Sequence, residues 1–120
     1  MVGRRRKAGQ PGPIEPIGDP RLAEIVRRLV EAYQPERIYL FGSQARGEAG
    51  PDSDYDLLVV VPDDAAPTRC SSDLAYHALR GTGIAADVLV WTRSRFERRQ
   101  HVVTSLPATV LREGRLIHAA

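Results

Sequence analysis

The stretch that most constrains this chain of 120 residues is RIYLFGSQARGEAGPDSDYDLLVVV, residues 37–61. It contains two runs rich in β-branched and aromatic residues, RIYLFG and YDLLVVV, which are typical of β-strands. The loop between them begins with Gly42-Ser43 and ends around Asp54 and Asp56. A folding chain has no obvious use for two carboxylates where an apolar strand begins, so this stretch indicates a functional site.

Asp54 and Asp56 are candidate metal ligands. Residues two apart in a strand point to the same face and lie roughly 6.6 Å apart along the chain. The two like charges therefore repel each other unless a positive charge lies between them. Hard divalent cations such as Mg²⁺ prefer carboxylate oxygens, which makes a metal the simplest neutralising group. The alternative is that both are ordinary turn residues exposed to solvent.

A third carboxylate, Asp87, lies within IAADVLVWT, a predicted strand that is otherwise apolar on both faces. Burying an unpaired carboxylate costs several kcal/mol, so Asp87 needs to be neutralised, paired with an arginine or placed at a metal site. If this strand lies beside the one that starts at Tyr55, three carboxylates converge. Three carboxylates can hold two divalent ions about 3.5 to 4 Å apart, the arrangement that supports in-line displacement at phosphorus.

Such a site also needs a group that holds phosphates. Gly42 allows the backbone to approach a ligand closely, and Ser43 offers its hydroxyl and amide to phosphate oxygens, especially if residues 43–47 open a helical turn. An ordinary tight turn after a strand is the alternative for this pair. Arg46 is a candidate for binding phosphate or an acceptor, and equally a candidate for a solvated surface arginine.

The composition of the chain divides it into an arm and one domain. Residues 1–18 combine arginine, lysine, glycine and proline with little to bury, which predicts a disordered basic arm, and the domain spans residues 19–120. Asp19 is a predicted N-cap, and the apolar residues after it recur at helical spacing. A first amphipathic helix is therefore expected, ending before Pro35.

The second half of the chain predicts two more helices around a third strand. Residues 67–80 carry a helical pattern, IAADVLVWT at 84–92 predicts the strand, and RFERRQHVVTSL at 95–106 predicts a helix that ends at Pro107. The last stretch, 108–120, is consistent with a helix end followed by a short strand. The expected fold is α/β or α+β, with a small mixed sheet flanked by helices.

The segment FGSQARGEAGPDSDYDLLVVV resembles the signature of the polymerase-beta-like nucleotidyltransferase superfamily. In that signature Gly-Ser is followed after about ten residues by Asp-x-Asp at the start of a hydrophobic strand, with a third Asp in a later strand. The chain is most similar to the small, single-domain minimal nucleotidyltransferases. The resemblance implies that Gly42 and Ser43 hold a triphosphate, that Asp54 and Asp56 bind two Mg²⁺ ions, and that Asp87 completes the site.

The reaction implied by this resemblance is transfer of a nucleoside monophosphate, most often AMP from ATP, to a hydroxyl group with release of pyrophosphate. Relatives of this size resemble the antitoxin of a toxin–antitoxin pair whose partner is a HEPN-type ribonuclease, and some inactivate that toxin by adding AMP to one of its tyrosines. A chain of 120 residues leaves little room for a separate acceptor domain, so a protein acceptor is expected. The competing hypothesis is a non-catalytic module that neutralises its partner by binding alone.

Composition gives no support for membrane or nucleic-acid binding. No apolar run approaches the roughly 20 residues that cross a bilayer. The net charge is +2, and four of the positive charges belong to the arm, at Arg4, Arg5, Arg6 and Lys7. The domain itself is therefore close to neutral. One cysteine and no secretory signal favour the cytoplasm. The pattern leaves oligomerisation open.

Overall fold

A computed structural model describes residues 14–47 and 54–120 of the chain. Its helices and strands are, in chain order, α1 (Pro20–Tyr33), β1 (Arg37–Phe41), α2 (Gly42–Arg46), β2 (Tyr55–Val61), a 3₁₀ helix (Pro67–Cys70), α3 (Asp73–Ala78), β3 (Ala86–Thr92), α4 (Arg93–Arg99), α5 (Leu106–Glu113) and β4 (Arg115–Ala119). The expected mixed sheet flanked by helices is confirmed. Most of the predicted arm, residues 1–13, lies outside the described residues.

The four strands form one sheet in the order β3-β2-β1-β4. Strand β1 runs antiparallel to both β2 and β4, whereas β2 and β3 are parallel. The two central strands are covered on both faces, which explains why YDLLVVV continues as an unbroken apolar run after Asp56 instead of alternating with polar residues.

Helices cover both faces of the sheet. On one face, Leu57, Val59 and Val61 of β2 pack in a cluster with the apolar side of α1 and with Ala75 of α3. On the other face, Leu58 and Val60 join a second cluster that receives Phe96 from α4 and Val110 from α5. The domain is therefore a three-layer sandwich, and the ends of its strands are the places left open for a site. In the described part of the chain, no helix has the length and apolar character needed to cross a membrane.

Helix α1 begins and ends as its sequence predicts. The Asp19 side chain accepts a hydrogen bond from the Arg21 backbone N–H at 2.9 Å, and proline occupies the first helical position. The helix ends at Tyr33, before Pro35. The described end of the predicted arm, residues 14–18, runs beside β4, where the Glu15 N–H donates to a backbone carbonyl at 2.8 Å.

The helix predicted over residues 95–106 is wrong in its extent. Helix α4 begins earlier and ends at Arg99, and a second helix, α5, begins at Leu106. The Ser105 hydroxyl donates to the Arg99 carbonyl at 2.5 Å and accepts from the Ala108 N–H at 3.3 Å. Ser105 is therefore the N-cap of a new helix, and Pro107 lies in its first turn, where a missing N–H costs nothing.

The helix predicted over residues 67–80 is also interrupted. A 3₁₀ helix ends at Cys70 and α3 starts at Asp73, because Ser71 is extended. The Tyr33 hydroxyl donates to the Ser71 carbonyl at 2.5 Å and accepts from the Ala75 N–H at 2.8 Å. One side chain of α1 thus stabilises the break and fixes the start of α3.

Candidate active site

The three candidate carboxylates lie at the same end of two neighbouring strands. Asp56 in β2 is the register partner of Asp87 in β3. Their backbones are therefore about 4.8 Å apart, the spacing of hydrogen-bonded strands. Asp54 immediately precedes the first residue of β2. The structure thus brings together residues that are more than thirty positions apart in the sequence.

Asp56 and Asp87 also point to the same face of the sheet. Side chains alternate along a strand, and Leu58 in β2 and Trp91 in β3 both belong to the cluster on the α4–α5 face. Asp56 is two residues from Leu58 and Asp87 is four residues from Trp91, so both carboxylates share that face. The two strands are therefore neighbours, which is the condition on which convergence of the three carboxylates depended, and Asp87 is exposed on the outer strand β3 instead of buried.

Negative charge accumulates at Asp56. Burial raises the pKa of its carboxyl group above the ordinary value, and the neighbouring charges of Asp87 and then Asp54 raise the pKa further. The Arg46 guanidinium opposes this effect. An oxygen-rich, negative site of this kind fits a hard divalent cation.

The described residues, 14–47 with 54–120, contain no group of three His, Cys, Asp or Glu side chains gathered closely enough to hold one metal ion. The three aspartates instead lie in a row across the starts of β2 and β3, with Asp54 and Asp87 exposed and Asp56 half-buried. The chemistry of the donor set fits magnesium. The assignment of Asp54, Asp56 and Asp87 as metal ligands stays a prediction.

Gly42 directly contacts the Asp56 carboxylate. Phe41, at the end of β1, is the register partner of Asp56, so the chain turns into α2 beside that side chain. Gly42 has φ +74°, and a Cβ atom built there would lie 2.3 Å from Asp56 Oδ2. Both the left-handed backbone and this close approach require glycine. The predicted phosphate-binding end and metal-binding end of the site are therefore adjacent.

Helix α2 carries the other two candidate nucleotide ligands. It is a single turn that starts at Gly42, so the helical turn expected after Ser43 is present. Ser43, the second residue of this turn, is half-exposed. Arg46 pairs with Glu113 of α5 at 4.0 Å while its charge acts on Asp56. Arg46 is thus close enough to act on Asp56 and is also paired with Glu113, and its binding of phosphate or an acceptor stays a prediction.

An open cleft of about 650 Å³ adjoins the carboxylates on the side of β3. Its volume is in the range of small-molecule binding sites. Asp54 and Asp87 line it, together with α3 and the segment that leads into β3. Tyr76 of α3 contributes an aromatic ring that is 72% exposed. No pattern in the sequence predicts this cleft, because a single tyrosine on a short helix does not reveal what the helix faces.

Two buried contacts hold the site in place. The Tyr55 hydroxyl, between the two aspartates in sequence, donates to Asp19 and so ties the start of β2 to the start of α1. Tyr33 fixes the start of α3, the wall of the cleft, through the hydrogen bonds described above. The sequence pattern placed Tyr33 on the apolar face of α1 and said nothing of its hydroxyl.

The fold and the site together define the class of this protein. The structure places a glycine-led turn at the end of β1, the Asp-x-Asp pair at the start of β2 and a third aspartate on β3, the parallel neighbour of β2. Residues 20–117 match the family model of the nucleotidyltransferase domain, and the chain belongs to that family. The predicted family is therefore confirmed.

One solved structure supports the fold, and two others align with lower scores. A crystal structure described as a toxin-antitoxin with AMP-PNP aligns with a TM-score of 0.58 at 21% identity, covering 82% of this chain and 73% of the other. A putative nucleotidyltransferase from Sulfolobus solfataricus aligns at 0.46 and 20% identity over 86% and 90% of the two chains. A mutant of the toxin-antitoxin MntA-HpeT aligns at 0.48 and 21% identity over 79% and 71%. Among curated proteins, none matches the chain.

Proposed function

We propose that this nucleotidyltransferase is Mg²⁺-dependent, takes AMP from ATP and transfers it to a tyrosine hydroxyl of a partner HEPN-type toxin, acting as the antitoxin. The observation that supports the proposal is that Asp56 lies against Gly42 on one side and is the register partner of Asp87 on the other. The toxin–antitoxin role is supported by the structural neighbour crystallised as a toxin-antitoxin with AMP-PNP, whose fold this chain shares.

In this proposal the site has two ends. Gly42, Ser43 and Arg46 bind the triphosphate, and the Gly42 backbone comes close to it because no side chain intervenes. Asp54 and Asp56 would hold two Mg²⁺ ions with the help of Asp87. Bound there, the ions would neutralise the charge that develops on the transferring phosphoryl group.

The chain's own residues supply orientation and a proton acceptor. Asp87 lies at the edge of the sheet, exposed to an incoming hydroxyl, and accepts its proton as the general base. The Asp56 carboxylate lies against Gly42, and its strand position is set by the register pairing with Asp87. The Tyr55 bond to Asp19 keeps the start of β2, and with it both neighbouring aspartates, in register.

Labelled ATP in a lysate of the native host tests this function. Wild-type protein is added with Mg²⁺ and either α-³²P-ATP or γ-³²P-ATP, and the matched control is the double variant Asp54→Ala, Asp56→Ala. We expect label on a protein band from the α position alone, with wild type alone, and the size of the band identifies the acceptor. Label from the γ position would indicate phosphorylation and contradict the proposal.

The same variants separate catalysis from binding. If the chain neutralises its partner by transferring AMP, the double variant loses neutralisation together with labelling. If neutralisation survives in the double variant and neither position of ATP labels any protein, the chain is a binding module and the proposed function is wrong. Pull-down of the partner by the unlabelled variant would then identify the complex.

A further inference from the structure

The sheet has two edge strands, and the two edges differ in what lies beside them. At one edge is β4, where the described end of the arm runs alongside and the Glu15 N–H donates to the Leu116 carbonyl at 2.8 Å. At the other edge is β3. Within residues 14–47 and 54–120, no backbone hydrogen bond joins residues 86–90 of β3 to any element other than β2. The outer edge of β3 is therefore open in the part of the chain that the structure describes.

The backbone groups on this open edge belong to alternate residues. The Tyr55 N–H donates to the Ala85 carbonyl at 3.2 Å, so Ala85 and every second residue after it turn their N–H and C=O groups toward β2. Ala86, Val88 and Val90 therefore turn theirs away from the sheet. A row of unpaired N–H and C=O groups is a template for another strand. Ala86 and Val88 also line the open cleft described above.

The side chains of β3 indicate what kind of strand fits this edge. Leu89, in the middle of β3, is apolar and 36% exposed, whereas proteins commonly protect an open edge with charged side chains. The charges instead lie at the two ends of β3. Asp87 is exposed near its start, and Arg93 and Arg95 are exposed directly after its end. A complementary strand is apolar in its middle, basic beside Asp87 and acidic beside the arginines, and an antiparallel copy of β3 itself meets all three requirements.

We infer that β3 pairs antiparallel with β3 of a second copy of this chain, about a two-fold axis at Leu89, and so joins two four-stranded sheets into one. In this register Val88 pairs with Val90 of the second copy, which matches backbone groups that both face outward. The Leu89 side chains of the two copies lie opposite each other and shield each other from water. Because the pairing is two-fold and the arm lies beside the other edge, the assembly closes as a dimer.

The second copy brings a positive charge to the candidate active site. Asp87 lies opposite Trp91 of the second copy, on the same face of the sheet. The Arg95 guanidinium carbon lies 4.2 Å from the centre of the Trp91 ring, so Arg95 of the second copy comes near Asp87 and offsets part of the negative charge around Asp56. Side chains stand roughly perpendicular to a sheet, so pairing through the backbone leaves the Asp87 carboxylate open to an acceptor. The pairing itself requires no nucleotide transfer, so the inference is independent of the proposed function.

Disulfide cross-linking of the full chain tests the register. Cys70, the single cysteine, is first replaced by serine, and Leu89→Cys is then added. Opposed residues in a non-hydrogen-bonded antiparallel pair have Cα atoms about 4.5 Å apart, within the roughly 4.4–6.8 Å that a disulfide spans. We expect mild oxidation to link the Leu89→Cys chains into dimers on a non-reducing gel. Val103→Cys, at a position outside β3 that is 74% exposed, is the matched control. Cross-linking of Leu89→Cys no faster than that of Val103→Cys would overturn the inference.

Light scattering over a series of concentrations measures the dimer in the unmodified chain. We expect a mass twice that of one chain. Leu89→Lys places two like charges opposite each other at the axis and should raise the dissociation constant on the order of tenfold, whereas Val103→Lys should leave it unchanged. Arg95→Glu, a substitution outside the sheet, should also raise it, and circular dichroism checks that each variant is folded. A dimer that folded Leu89→Lys leaves intact would overturn the inference. So would a wild-type chain that stays monomeric at every concentration, and the β3 edge would then be left to a strand of another protein.

Discussion

Replacing Gly42 with alanine tests whether the contact between the end of β1 and Asp56 holds the site together. The new Cβ would lie 2.3 Å from Asp56 Oδ2 and 3.1 Å from Asp56 Cγ. An ordinary contact needs more than 3.4 Å, so the carboxylate oxygen has to move by about 1 Å. Gly47→Ala is the matched control, because Gly47 has nearly the same backbone angle, φ +72°, and a Cβ there meets no atom within 4 Å in residues 14–47 and 54–120, its chain neighbours aside.

The two variants share one cost and differ in another. A non-glycine residue in the left-handed region costs about 1–2 kcal/mol, which applies to both. Gly42→Ala also forces Asp56 away from its preferred side-chain rotamer, which adds about 0.5–1.5 kcal/mol. A misplacement of about 1 Å at a reacting site can lower the rate on the order of 10²-fold. We therefore expect Gly42→Ala to lose about 0.5–1.5 kcal/mol more stability than Gly47→Ala, and to lose far more of the AMP transfer.

Urea unfolding followed by tryptophan fluorescence measures the first quantity, since Trp91 is the single tryptophan. Transfer of label from α-³²P-ATP to the acceptor measures the second. The expected result is a Gly42→Ala variant that is folded and nearly inactive beside a Gly47→Ala variant with most of its activity. Equal transfer by the two variants would refute the argument that Gly42 is required by its contact with Asp56.

Three further changes have expected results that follow from single contacts. Asp19→Ala should lower the free energy of unfolding by about 1 kcal/mol at pH 7. The Tyr55 hydroxyl holds the pKa of Asp19 below its ordinary value of 3.8. The stabilisation by Asp19 is therefore present above that ordinary pKa and is lost as the pH falls through the lowered pKa of the folded state. The urea midpoints of variant and wild type should then converge in acid, and a gap that stays constant with pH would contradict this. Tyr33→Phe should cost about 1–3 kcal/mol in urea unfolding, since the Ala75 N–H loses its acceptor; a variant as stable as wild type would show that water replaces the hydroxyl. Asp56→Asn should abolish label transfer without lowering the thermal midpoint at pH 7. Burial and neighbouring carboxylates raise the pKa of Asp56, so the folded state disfavours the charged form that asparagine removes. A variant with a lower thermal midpoint would contradict that account.

Local patterns predicted the strands better than the helices of the second half. RIYLFG and YDLLVVV gave β1 and β2 because their apolar runs are bounded by glycine, proline and turn residues. The helix predicted over 95–106 is wrong because proline occurs both after the end of a helix and in the first turn of the next, and Pro107 is in a first turn. What separates the two cases is the Ser105 hydroxyl, which bonds to both the end of α4 and the start of α5. These hydrogen bonds are tertiary contacts, and the periodicity of the sequence does not predict them.

The site was predictable where its residues are close in sequence and less so elsewhere. The spacing from Gly42 to Asp54 and Asp56 lies within one loop and could be recognised directly. The pairing of Asp56 with Asp87 depends on which strand lies beside β2, and the sequence alone does not show that this strand is β3. The cleft, and the exposure of the Tyr76 ring, depend on where α3 lies. The hydroxyl of Tyr33 on α1 fixes the start of α3 through its two hydrogen bonds.

The mixed character of the sheet is what allows one site to collect these parts. A hairpin-like antiparallel pair, β1 and β2, places the end of the first strand beside the start of the second, so Gly42 meets Asp56. If β3 were antiparallel to β2, the end of β3, and not its start, would lie next to Asp56. Because β3 is parallel to β2, its start lies there instead, and Asp87 near that start reaches Asp56. The crossover that parallel strands require carries α3, so the connection that supplies the third carboxylate also builds the wall of the cleft beside it.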